Sequence, residues 1–122
     1  MYVTLPRTVA NQMDRFVGRA WLLPRLLEWW STGSERVFLL TGGPGTGKSM
    51  IQAWICGFGP EPDDPVARSQ LERLRSAAVA AHFCQAASRN ISPQAFGEGI
   101  ANQLATNVPG FAAALAATLA ER

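Results

Sequence analysis

The sequence predicts an α/β fold, in which parallel strands alternate with helices. Three consecutive features support this prediction. Residues 37–40 form an uninterrupted apolar run, which is typical of a strand buried on both faces of a parallel sheet. A glycine-rich stretch follows at residues 42–47. Residues 48–56 then contain no helix breaker, so a helix is expected there.

The glycine-rich stretch carries the most specific motif. Residues 42–49 read Gly-Gly-Pro-Gly-Thr-Gly-Lys-Ser, which fits G-x-x-x-x-G-K-[ST], the Walker A loop that cradles nucleotide phosphates. Lys48 is the only lysine, whereas the chain has ten arginines. We therefore interpret residues 42–49 as a phosphate-binding loop and the fold as a P-loop NTPase three-layer sandwich.

Each residue type in the loop has a physical role. Glycines allow positive φ and let the backbone approach an anion without a Cβ clash. The amides of residues 45–49 are expected to point at the phosphates from the positive end of a helix. The Lys48 ammonium is expected to reach the β- and γ-phosphates, and the Ser49 hydroxyl to bind Mg²⁺. The predicted binding residues of the loop are Gly43, Pro44, Gly45, Thr46, Gly47, Lys48, Ser49 and Met50.

The nucleotide is predicted to be ATP. Small GTPases recognise guanine through Asn-Lys-x-Asp, and that element needs a second lysine, which this chain lacks. ATP and Mg²⁺ are therefore the expected cofactors, which leaves ATPases and small-molecule kinases as the candidate classes.

The remaining chain is organised as a linker and one incomplete domain. Residues 1–15 are expected to be an N-terminal linker, and residues 16–122 a partial P-loop domain. The predicted elements are a helix at 19–30, a strand at 37–41, helices at 48–56 and 66–76, a strand at 78–84, a helix from Ser92-Pro93 to 106, and a last helix from 111.

Two further segments resemble a known family. Phe16-Val17-Gly18-Arg19 resembles the Phe-x-Gly-Arg segment that opens the ATPase domains of STAND proteins, the NACHT and AP-ATPase relatives of AAA+ ATPases. The His-Phe-Cys at 82–84 and the Gln-Leu-Ala at 103–105 resemble bacterial NACHT-like proteins. The resemblance implies that residues 16–19 lie near the adenine, which adds Val17 and Gly18 to the predicted nucleotide site. The chain departs from the family at Ala20, where an acidic residue is usual.

A catalytic acid is missing from the sequence. ATP hydrolysis on this scaffold needs an acidic residue at the end of an apolar strand, and no aspartate or glutamate here follows such a run. The chain is therefore expected to end before Walker B, and to be an ATPase only within a complete domain. Because two strands make a marginal sheet, another segment of the protein or a partner protein is expected to complete it.

Composition excludes several partners and locations. The net charge is +2 and the arginines are scattered, so no nucleic-acid surface is indicated. No apolar stretch is long enough to span a bilayer. Cys56 and Cys84 lack metal-ligand spacing and are expected to be free thiols in a reducing cytoplasm.

Three functions remain open from the sequence. The first is the ATP-binding segment of a STAND-type signalling ATPase, which does not hydrolyse ATP alone. The second is a stand-alone, non-catalytic regulatory module that binds ATP and acts by interaction. The third is a small P-loop phosphotransferase, which is disfavoured because no acidic acceptor-binding residue follows the second predicted strand.

Overall fold

In the computed structural model, every regular element of the described chain is a helix. The structure describes residues 3–13, 16, 18–43, 47–84 and 91–121. The chain divides into two compact units, Arg7–Ala78 and the combination of Met1–Pro6 with Val79–Arg122. The helices are α1 (Arg7–Ala10), α2 (Leu22–Thr32), α3 (Lys48–Ile55), α4 (Pro65–Ala77), α5 (Pro93–Asn107) and α6 (Phe111–Ala120).

The unit Arg7–Ala78 has an apolar core built from four helices. Helix α2 packs against α4, and α3 packs against both α1 and α4. Leu23 of α2 and Leu71 of α4 are the largest fully buried side chains. The other buried residues of this core are Val9, Met13, Phe16, Leu22, Leu26, Leu27, Ile51, Ala53, Trp54, Ala67 and Leu74.

Local sequence signals explain where these helices begin and end. Helix α2 ends at Thr32, and Gly33 follows it with a φ of 65°, a left-handed conformation that glycine adopts without a Cβ penalty. Helix α4 begins after Asp64, whose carboxylate accepts a hydrogen bond from the amide of Ala67 at 3.2 Å, and Pro65 occupies the first turn. The predicted helices at 48–56 and 66–76 are confirmed to within one residue at each end, whereas α2 begins three residues later than predicted.

The second unit contains α5 and α6, which pack against each other. The Ser92 hydroxyl accepts a hydrogen bond from the amide of Ala95 at 3.1 Å, which confirms the predicted start of α5. Neither helix has a buried residue. The large apolar side chains of α5 are therefore only partly covered: Ile100 and Leu104 are half-buried, and Phe96 is exposed.

The predicted α/β sandwich is wrong, because the described residues contain no strand. The first predicted strand, residues 37–41, is an irregular segment. Val37 and Leu39 are 78% and 81% exposed, while the Phe38 ring packs on Trp29 of α2 with ring centroids 5.7 Å apart. The apolar run is thus covered on one face by a helix, and no strand among the described residues lies beside it to form a hydrogen-bonded ladder.

The second predicted strand, residues 78–84, is also irregular, for a different reason. Side-chain amides of α5 form hydrogen bonds with the backbone of this segment. Gln103 accepts from the Ala81 amide at 2.9 Å and donates to the Ala81 carbonyl at 2.8 Å, and Asn107 donates to the Val79 carbonyl at 3.0 Å. These bonds satisfy backbone groups that a sheet would otherwise pair.

A pair of Leu→Ala substitutions tests this fold. Leu71→Ala should lower the free energy of unfolding by about 2–5 kcal/mol, because it leaves a cavity at a fully buried position. Leu39→Ala should change it by no more than about 0.5 kcal/mol, because Leu39 is exposed. Urea titration followed by circular dichroism measures both. A large loss with Leu39→Ala would show that residues 37–40 are buried, as a sheet requires.

Candidate functional site

The start of α3 brings both ends of the glycine-rich loop together. Gly47 precedes the helix with φ 92° and ψ 17°, and no side chain of the described residues caps this end. Lys48 is the first helical residue, and its ammonium donates hydrogen bonds to the carbonyls of Gly42 and Gly43, the latter at 2.9 Å. The ammonium therefore faces residues 42 and 43, at the beginning of the glycine-rich loop.

The predicted loop residues divide into those that the structure describes and those that it does not. Gly43, Gly47, Lys48, Ser49 and Met50 are described, whereas Pro44, Gly45 and Thr46 lie outside the described residues. Gly47 has the positive φ expected of a phosphate loop, but Gly43 lies outside the left-handed region. Lys48 and Ser49 are exposed and Met50 is half-buried.

A cleft of about 410 Å³ lies beside α3, and part of the Phe-x-Gly-Arg segment at residues 16–19 lines it. Gly18 lines it with φ 79°, while Val17 lies outside the described residues. The rings of Phe16 and Trp54 meet edge to face there, with centroids 5.2 Å apart and planes at 69°. The full lining is Phe16, Gly18, Arg19, Ala20, Trp54, Pro60, Glu61, Pro62, Asp63, Asp64 and Ala67.

Arg19 lies between this cleft and the end of the glycine-rich loop. It lines the cleft, and a Cβ placed on Gly47 would lie 3.9 Å from its Nη2 atom. The guanidinium therefore lies next to the start of α3. Arg19 is not among the predicted site residues, although it belongs to the Phe-x-Gly-Arg segment and an arginine is well suited to bind phosphate oxygens. Its place in this segment, together with its ability to bind phosphate, would have identified Arg19 from the sequence.

A second, mostly apolar groove of about 420 Å³ begins at the same helix start. Lys48 and Ser49 form its polar part. The remaining lining comes from α2, the irregular segment 37–40 and the later turns of α3, namely Leu26, Trp29, Phe38, Leu40, Ile51, Gln52 and Ile55. The groove lacks the carboxylates and backbone turns that border the first cleft.

The other chemically reactive groups do not form a site. No group of three or more His, Cys, Asp or Glu side chains within the described ranges could hold a metal ion. Cys56 and Cys84 are free. Burial raises the pKa of the half-buried Cys56 thiol to about 11, so this thiol is protonated and unreactive at neutral pH. No helix in the described part of the chain is long and apolar enough to cross a membrane.

These features define a helical protein in which a glycine-rich loop precedes a helix beside an aromatic cleft. The family described as Nephrocystin 3, N-terminal, matches residues 19–122, and the chain belongs to this family. No curated protein and no solved structure matches the chain. This match agrees with the resemblance to NACHT-related proteins, but it does not itself show a P-loop NTPase. The assignment to STAND-class P-loop NTPases therefore stays a prediction.

Gly47→Ala tests the conformation at the start of α3. An alanine at φ 92° is strained, and the substitution should lower the free energy of unfolding by roughly 1–2 kcal/mol. Gly43→Ala is the matched control, because Gly43 is not left-handed and a Cβ there meets no atom of the described structure within 4 Å. Thermal melting compares the two. Equal melting temperatures for the two variants would contradict the left-handed geometry of Gly47.

Proposed function

We propose that this chain binds ATP with Mg²⁺, and that the triphosphate lies at the N-terminus of α3. The observation that carries the proposal is the position of Lys48. Lys48 is the first residue of the helix, and its ammonium donates hydrogen bonds to the carbonyls of Gly42 and Gly43. A triphosphate needs a cation at this position, and the only lysine of the chain provides it.

The helix start supplies the other contacts that phosphates require. The first amides of a helix have no partner within the helix and carry the positive end of its dipole. Gly47 has no side chain to fill this end, and its left-handed conformation turns the loop into the helix. Phosphate oxygens would accept from these amides and from Lys48. This arrangement supports anion binding.

Ser49 supports a role for Mg²⁺. Its side chain is exposed in the first turn of α3, next to the lysine. Mg²⁺ keeps most of its waters and takes few protein ligands, so one hydroxyl together with phosphate oxygens satisfies it. The Mg²⁺ would neutralise phosphate charge and fix the triphosphate on the loop.

The aromatic cleft is the proposed site of the base. Arg19 borders both the cleft and Gly47, so one ligand could extend from the helix start into the cleft. Phe16 and Trp54 provide apolar contact there, and a cleft of about 410 Å³ falls within the size range of small-molecule sites. The resemblance of residues 16–19 to the adenine-side segment of STAND ATPases agrees with this placement.

We propose that the chain binds ATP without hydrolysing it. The carboxylates near the cleft, Glu61, Asp63 and Asp64, belong to the irregular connection between α3 and α4. Asp64 caps α4, and Glu61 pairs with Arg75 at 3.1 Å. None of the three follows an apolar run, which is where P-loop ATPases place the acid that holds Mg²⁺ and orients a water molecule. The proposed role is that of a nucleotide-binding switch, in the setting of a STAND-type ATPase.

Partners and location follow from the same proposal. The exposed Val37 and Leu39 provide apolar surface that another segment of the protein or a partner protein would cover. The two free cysteines fit a reducing compartment, and we propose the cytoplasm. A stand-alone regulatory module would use the same nucleotide site.

Lys48→Ala tests the phosphate site. Removing a charge-assisted contact worth roughly 1.5–3 kcal/mol should weaken ATP binding about 10- to 150-fold. Isothermal titration calorimetry with Mg·ATP measures the affinity. Arg73→Ala is the control, because it removes the same charge from an exposed position of α4 outside the cleft. Equal affinities for wild type and Lys48→Ala would refute the proposed phosphate site.

Phosphate release tests the absence of catalysis. The purified chain should hydrolyse ATP at the background rate, because no aspartate or glutamate of the sequence follows an apolar run, where P-loop ATPases place their catalytic acid. A coupled phosphate assay, with Lys48→Ala as the control for contaminating ATPases, measures the rate. Release that depends on Lys48 would show that the chain is an enzyme.

A further inference from the structure

Arg75 of α4 is bonded to the connection between α3 and α4. Its guanidinium donates to the Trp54 carbonyl at 3.0 Å, to the Phe58 carbonyl at 3.3 Å and to Glu61 Oε1 at 3.1 Å. Its side chain is 18% exposed. One partly desolvated arginine thus joins the end of α3 to two points of the irregular segment that follows it.

That irregular segment forms one wall of the aromatic cleft. Residues 60–64 all line the cleft, as does Trp54. The Trp54 indole donates to the Pro60 carbonyl at 2.9 Å, and Arg75 holds the residues on either side of Pro60. Arg68 also contacts this segment, through the carbonyls of Pro62 and Asp63 at 3.2 and 3.3 Å, but its side chain is 46% exposed. Arg75 is therefore the better buried of the two anchors.

We infer that Arg75 is a positioning residue that holds this wall against the nucleotide base and thereby sets the affinity for ATP relative to its bare triphosphate. The inference rests on the proposed nucleotide-binding function. Arg75 itself is not part of the cleft lining, so it acts through the wall rather than by touching the base.

The geometry separates this effect from phosphate binding. Lys48 is the first residue of α3, and Trp54 lies near its other end. Eight helical residues span roughly 12 Å. Loss of the Arg75 contacts would release residues 58–61 while leaving Gly47 and Lys48 in place. A loosened wall loses contact with the base and leaves the triphosphate contacts unchanged.

The test compares two ligands on the full 122-residue chain. Calorimetry gives the dissociation constants of Mg²⁺ with ATP and of Mg²⁺ with inorganic tripolyphosphate. Arg75→Met should weaken ATP binding about tenfold and change tripolyphosphate binding less than about twofold. Arg75→Lys, which keeps the charge but makes fewer fixed hydrogen bonds, should give a smaller loss of ATP affinity. Arg73→Met, on an exposed position of the same helix, should change neither.

The possible outcomes distinguish a failure of the positioning role of Arg75 from a failure of the proposed nucleotide binding. Equal losses for both ligands, or no loss for either, would overturn the positioning role and leave the nucleotide site in place. A wild-type chain that binds tripolyphosphate as tightly as ATP would also overturn it, because no base contact would then exist. A wild-type chain that binds neither ligand would refute the proposed function itself. Thermal melting verifies folding, and Arg75→Lys decides the question if Arg75→Met does not fold.

Discussion

The burial of Trp54 is the constraint on which the arrangement of the site depends. The ring packs edge to face on Phe16, its indole N–H donates to the Pro60 carbonyl, and its own carbonyl accepts from Arg75. Large aromatic side chains bury much apolar area, and a buried indole N–H needs a partner. Trp54 therefore holds helix α3 against Phe16 on one side and against the connection to α4 on the other. With the body of α3 fixed, its first turn holds Lys48 and Ser49 at the surface.

The start of α3 was predictable, whereas residue spacing does not predict the cleft beside it. Residues 42–49 are consecutive, so the left-handed glycine and the helix that begins at Lys48 follow from the backbone preferences of neighbouring residues. The cleft combines residues 16–20, Trp54 and residues 60–67. No spacing rule connects these three segments, because their proximity results from how α3 packs. The contribution of Trp54 and of residues 60–67 to the cleft was missed for this reason.

The helices were predictable because their starts and ends depend on adjacent residues. The strand predictions were wrong because a strand depends on residues elsewhere in the chain. Ser92 and Pro93 start α5 through a cap and a fixed φ, which are properties of adjacent residues. A strand exists only if another strand lies beside it. Residues 37–40 have the composition of a buried strand, but only Phe38 and Leu40 turn inward, and Phe38 meets Trp29. Residues 79 and 81 bond to amide side chains of α5 instead.

The sequence by itself determined the phosphate-loop motif, the start of α3 at Lys48, most helix boundaries and the lack of an acid after an apolar run, since each depends on neighbouring residues. Tertiary structure decided which apolar segments are covered, that residues 37–41 and 78–84 do not pair as strands, and that Phe16, Arg19 and Trp54 share one cleft. These are contacts between residues far apart in the chain. Their formation depends on packing and on the satisfaction of buried polar groups, which no single segment encodes.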